Sequence, residues 1–83
     1  MELRLAVHNR HEKKVDLWIE PWGDILTLHP GATLFVVGIG PAGQGFEVEF
    51  RDDGYAIFGW SGSVISIFDT DGKEVWSCSI PAP

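Results

Sequence analysis

The stretch that decides the fold is Phe46-Glu47-Val48-Glu49-Phe50-Arg51-Asp52-Asp53-Gly54-Tyr55-Ala56-Ile57-Phe58-Gly59-Trp60. Apolar Phe46, Val48 and Phe50 alternate with charged Glu47, Glu49 and Arg51. That period of two is what a half-buried strand requires. Arg51-Asp52-Asp53-Gly54-Tyr55 then reads as a type I turn followed by a left-handed glycine, a three-residue hairpin loop. Such a loop pairs Phe50 with Ala56, Val48 with Phe58 and Phe46 with Trp60, all on one face.

The same pattern recurs on either side. Leu3, Leu5 and Val7 alternate with Glu2, Arg4 and His8, and Val15, Leu17 and Ile19 with Asp16, Trp18 and Glu20. Leu26 and Leu28 alternate with Thr27 and His29. Thr33 to Ile39 is apolar on both faces, as a central strand is. Val64 to Phe68 and Lys73 to Cys78 complete the set. Asp69-Thr70-Asp71-Gly72-Lys73 repeats the turn design and pairs Phe68 with Glu74, Ile67 with Val75 and Ser66 with Trp76. Glu20-Pro21-Trp22-Gly23-Asp24 predicts a four-residue loop that pairs Glu20 with Ile25 and Trp18 with Thr27, and sets Leu17 against Leu28. No stretch carries a helical period. The expectation is an all-β fold, a single antiparallel β-sandwich of seven to eight strands, immunoglobulin-like or cupredoxin-like, with a small β-barrel as the alternative. Residues 1–83 form one domain, with 79–83, which holds Pro81 and Pro83, a flexible tail.

The charge balance narrows function by exclusion. The 83 residues carry 6 Lys and Arg against 12 Asp and Glu, a net charge of −6. Phosphate backbones and anionic lipid surfaces need a concentrated basic face, so neither nucleic acid nor membrane is expected as a partner. A single cysteine, Cys78, excludes an intrachain disulfide and fits a reducing compartment. No apolar run is long enough for a signal peptide or a membrane helix, and the chain reads as cytoplasmic.

Each motif with chemical meaning has a plainer explanation. Gly38-x-Gly40-x-x-Gly43 matches the dinucleotide fingerprint, but a strand follows where the phosphate-binding helix belongs. It reads instead as a connection between sheets in which glycine supplies positive φ. Gly59-Trp60-Ser61-Gly62-Ser63 lacks one residue of the nucleophile elbow, and all histidines lie before residue 30. His8, His11 and His29 are spaced with no implied convergence on a metal. Asp69-x-Asp71-Gly72 is shorter than a calcium loop and is accounted for by the hairpin. No cofactor, metal or catalytic group is assigned, and the chain is not read as an enzyme.

The tryptophans carry the functional expectation. Trp60 belongs to the core. Trp18 projects on the polar face, and Trp22 sits in a turn. With Ile25 they form an apolar patch rimmed by Glu20 and Asp24, and exposed indoles mark interaction surfaces. The competing explanation puts Trp18 between two sheets and Trp22 as a plug over the end of the sandwich. The reading is a non-enzymatic module that binds another protein or a second copy of itself through Trp18, Trp22, Glu20, Asp24 and Ile25. The alternative is carbohydrate or small-ligand binding, with sugar rings stacked on exposed tryptophans.

The order of Asn9, Val15-x-Leu17 and Leu28-x-Pro30-Gly31 resembles the opening of cupredoxin-like sandwiches over the first 40 residues. That resemblance implies the fold without the copper, because Cys78 is followed by Ser79-Ile80-Pro81 and the single methionine is Met1. Glu20-Pro21-Trp22-Gly23, Pro30-Gly31 and Phe58-Gly59-Trp60-Ser61-Gly62-Ser63 are similar to segments of small uncharacterised bacterial β-sandwich proteins. This likeness implies no activity.

Overall fold

The computed structural model describes all 83 residues. Alternation of apolar and polar residues builds β1 (Glu2–His8), β2 (Val15–Glu20), β3 (Asp24–Leu28), β4 (Thr33–Ile39), β5 (Glu47–Arg51), β6 (Gly54–Phe58), β7 (Val64–Phe68) and β8 (Glu74–Ser77). They form two four-stranded sheets, ordered β1-β4-β7-β8 and β3-β2-β6-β5. The sheets stack as a sandwich and do not close into a barrel. The order differs from the immunoglobulin arrangement in placing β1 and β2 in opposite sheets.

One pairing departs from the expected antiparallel sandwich, since β2 and β6 run parallel in the middle of the second sheet. Asp16 lies opposite Gly54, and the ladder extends beyond the strands through the Asp16 N–H to the Asp53 carbonyl at 2.8 Å and the Gly59 N–H to the Glu20 carbonyl at 2.8 Å. The approach demands glycine. A Cβ on Gly54 would lie 1.8 Å from the Asp16 carbonyl oxygen.

The inward residues of both sheets make the core. Leu17, Ile19, Leu28 and Ile57 meet Val7, Val36, Ile65 and Ile67, with Trp60 closing one end. Each buried aliphatic side chain stabilises by roughly 1.5–3 kcal/mol relative to exposure.

The hairpin registers differ from expectation in three ways. Between β5 and β6, Arg51 pairs Gly54 and Phe50 pairs Tyr55, leaving Asp52 and Asp53 as a two-residue turn. Gly54 is taken into the strand by its contact with β2, so the pairing slips by one residue. A slip of one exchanges faces. Val48 and Phe50 therefore share the inner face with Ile57 and Tyr55, while Ala56 and Phe58 go to the outer face with Glu47 and Glu49. Between β2 and β3, Leu17 pairs Leu26 and Ile19 pairs Asp24. The Gly23 N–H closes that turn early, on the Ile19 carbonyl at 2.9 Å, with Gly23 at φ 79°. This slip of two leaves every side chain on its expected face. Between β7 and β8, Phe68 pairs Glu74 as expected, but a bulge then sets Ile67 against Trp76 and turns Trp76 inward.

Loops and tail are tied down by specific bonds. Asn9 is fully buried. Its amide donates to the carbonyls of Lys13 and Leu28 and accepts from the His11 N–H, all within 2.9 Å. The segment expected as a flexible tail is bound as well. The Ala82 N–H donates to the Ser63 carbonyl and the Ala82 carbonyl accepts from Gly62, both at 2.9 Å, and Ala82 is buried.

Gly54→Ala is expected to cost more than about 3 kcal/mol, because backbone rather than a flexible side chain occupies the space. Gly72→Ala, where a Cβ meets nothing within 4 Å and only φ 81° resists, is expected to cost about 1 kcal/mol. Urea titration followed by tryptophan fluorescence ranks the two. Equal losses would refute the close β2–β6 approach.

Candidate functional site

The indoles expected to form one patch are placed on different surfaces. Trp18 stands on the outer face of the β3-β2-β6-β5 sheet, between Ile25 and buried Ala56. Arg51 lies over it, its guanidinium carbon 5.0 Å from the ring centroid. Arg51 also donates to Glu49 at 2.9 Å and reaches Glu20 at 3.5 Å. These carboxylates, Glu49 first and then Glu20, raise the pKa of a group that is already always charged. Ile25 is exposed beside Trp18.

Trp22 points the other way, onto the end of the core. Its N–H donates to the Ile80 carbonyl at 2.8 Å, and its ring meets Trp76 edge-on at 5.6 Å. Gly59 makes room, because a Cβ there would lie 3.0 Å from the Trp22 ring. Asp24 accepts the Trp76 N–H at 2.8 Å, which ties the edge of one sheet to the edge of the other. Glu20, Asp24 and Ile25 therefore do not rim one patch. Trp22 and Asp24 close the β3/β8 side of the sandwich, and Trp18, Glu20 and Ile25 belong to an outer face.

The glycine motifs resolve as packing. Gly38 lies within β4, not in a loop, and has ordinary φ. A Cβ on it would lie 2.7 Å from both Phe46 and Trp60. A Cβ on Gly40 would strike Ser63 and the Trp60 indole nitrogen within 2.9 Å. Only Gly43 of the three has a positive φ, 89°. Ser63 is fully buried and its hydroxyl has no partner. The Asp69 carboxylate accepts the N–H groups of Asp71 and Lys73 at 2.9 Å, a turn-stabilising role. His8 shares a 2.6 Å hydrogen bond with Thr33, and no three His, Cys, Asp or Glu side chains converge.

Charge is divided unequally between the two outer faces. The β3-β2-β6-β5 face carries Asp16, Glu20, Glu47 and Glu49 against Arg51 alone. On the opposite face, Glu2, Arg4, His8 and Glu74 stand on the edge strands β1 and β8. The central strands β4 and β7 present Phe35, Val37, Ile39, Val64, Ser66 and Phe68 outward, with no charge among them. Phe35 is 40% and Ile39 50% exposed. The signal for this surface is the doubly apolar run Thr33 to Ile39. A sandwich of two layers has nothing to cover its second face.

Two concavities stand out on the surface. The larger, of about 870 Å³, lies between the Arg10–Lys14 loop and the β5–β6 turn. Arg10, Lys13, Lys14 and Arg51 there face Glu12, Asp16, Asp52 and Asp53, so opposite charges balance. The smaller, of about 260 Å³, opens between the edges of β1 and β5 and is lined by Leu5, Val7, Val48, Phe50, Tyr55 and Ile57. Comparison with protein families, with curated proteins and with solved structures finds no match to this chain.

Trp22→Ala is expected to cost about 3 kcal/mol by opening the β3/β8 side. Ser63→Ala removes an unpaired buried hydroxyl and is expected to raise stability by up to about 1 kcal/mol. Thermal and urea unfolding of the two variants checks both signs. A harmless Trp22→Ala would return that indole to the surface.

Proposed function

We propose that the chain is a non-enzymatic protein-binding module whose working surface is the outer face of the β1-β4-β7-β8 sheet. The observation that carries this reading is the row of exposed Phe35, Ile39 and Val64 on central strands that carry no outward charge. Four strands spaced about 4.8 Å apart and about six residues long give a footprint of roughly 400 Å². The apolar centre on β4 and β7 takes about half of that footprint, and apolar surface rimmed by polar residues marks interaction sites on soluble proteins. The arrangement matches an interface in miniature, with an apolar centre and a polar rim of Glu2, Arg4, His8 and Glu74. The partner is a flat, apolar protein surface, on another chain or on a second copy.

The patch built on Trp18 and Trp22 has weaker support, because Arg51 covers the first ring and the second is bonded beneath the tail. Sugar stacking, which needs a free indole face, loses support for the same reason.

The test is a double variant, Phe35→Asp with Ile39→Asp, beside the control Thr27→Asp on the opposite sheet. Both apolar residues are substantially exposed, so the fold is expected to survive by circular dichroism. Affinity capture from the native host and sedimentation across concentrations should lose the partner in the double variant and keep it in the control. A partner retained by the double variant, or none with wild type in either assay, overturns the reading.

A further inference from the structure

The two long sides of the sandwich are finished differently. On the β3/β8 side, Trp76 bonds Asp24, Trp22 packs against Trp76, and the tail crosses over. On the β1/β5 side no hydrogen bond or aromatic pair bridges the edges. Val48 and Phe50 point inward by register, opposite Ile57 and Tyr55, yet they are 49% and 83% exposed. They line the 260 Å³ cleft against Leu5 and Val7. β5 is also an open, unbulged edge with backbone groups free to pair.

We propose that a second copy of this chain pairs with β5, antiparallel and edge to edge, about a two-fold axis through Glu49. This goes beyond the protein-binding face described above and does not rest on it. The choice of occupant comes from the strand's own complementarity. Residues directly opposite in an antiparallel pair share a face. Centring on Glu49 places Glu47 opposite Arg51 of the second copy, and Val48 opposite Phe50 of the second copy, each twice by symmetry. Opposite charges meet on the outer face and apolar residues meet on the inner one. The single like pair is Glu49 with itself, and each Glu49 already accepts from its own Arg51 at 2.9 Å.

Neighbouring registers are worse. A centre on Val48 sets Glu47 against Glu49 twice. A centre on Phe50 sets Val48 against Asp52 and runs the pairing into the turn. Only the Glu49 centre uses all of β5. The product is one eight-stranded sheet, β3-β2-β6-β5 joined to its symmetry copy, with the two clefts merged around both Phe50 rings. The uncharged outer faces of β4 and β7 stay open in that dimer.

The experiment is sedimentation velocity of the full chain from low micromolar to millimolar concentration. The weight-average mass is expected to rise from the 9.2 kDa chain toward twice that value. Phe50→Asp, at a position 83% exposed, should keep its circular dichroism and urea midpoint and weaken the dimer at least about tenfold. Glu47→Lys and Arg51→Glu should each dimerise less alone, by opposing like charges twice. Their equimolar mixture should dimerise like wild type, because each chain then supplies what the other lacks. Should Arg51→Glu loosen the fold, Glu47→Lys and Phe50→Asp still report. A wild type that stays monomeric at millimolar concentration, a Phe50→Asp dimer of unchanged affinity, or a mixture no better than its components overturns the inference. A dimer lost in Phe35→Asp but kept in Phe50→Asp moves the second copy to the sheet face; it refutes the edge pairing and leaves the proposed function standing.

Discussion

An indole can lie against the backbone of a β-strand only where that strand has no side chain. Trp60 depends on this. Gly38 and Gly40 leave its ring space that any Cβ would occupy, at 2.7 Å and 2.9 Å respectively. Phe46 meets the ring edge-on at 5.2 Å, and the Pro41 carbonyl accepts its N–H at 2.9 Å. One residue thus gathers β4, the loop after it, the entry to β5 and the turn into β7. The tail joins the same cluster through Ser63 and Gly62. A chain this short buries a limited share of its surface, so a single large, well-packed aromatic anchors much of its stability.

That economy has consequences for function. Side chains that close one side of the sandwich are unavailable to close the other. Trp22, Trp76 and Asp24 all serve the β3/β8 side, with the Ile80 carbonyl accepting the Trp22 N–H. The β1/β5 side is left with Val48 and Phe50 inward-facing and wet. The net charge of −6 lies mostly on one outer face and in the turns, which leaves the centre of the other face apolar. The open cleft and the bare sheet face follow from what a two-layer fold of this length cannot cover.

The strands were legible because alternation is local. Period-two runs dominate from Leu3 to Cys78, with Thr33 to Ile39 apolar on both faces, and the Asp69–Lys73 turn forms with Gly72 at φ 81° as its residues require. The candidate site was legible only in part. The tryptophans did attract attention, but Trp22 serves the end of the core. The surface that stands out on the fold is carried by Phe35 and Ile39, inside the run Thr33 to Ile39 whose two apolar faces read equally well as doubly buried, and by Val64 opposite Ile39. Phe50 reads as core because it alternates with charged neighbours. A pattern marks which residues are apolar; it does not say whether a second layer will arrive.

By itself, the order of residues determined an all-β fold of seven to eight strands, the approximate places of the turns and the inward placement of Leu17, Ile19 and Leu28, because these depend on neighbours two to five positions away. Only the tertiary structure decided that β2 and β6 run parallel, that the β5–β6 hairpin slips by one and that Arg51 caps Trp18. The first and the third join segments separated by more than thirty residues, and the slip follows from the first, since Gly54 is held against β2. Their choice rests on which backbones can approach, and at Asp16 and Gly54 that came down to a missing methyl group.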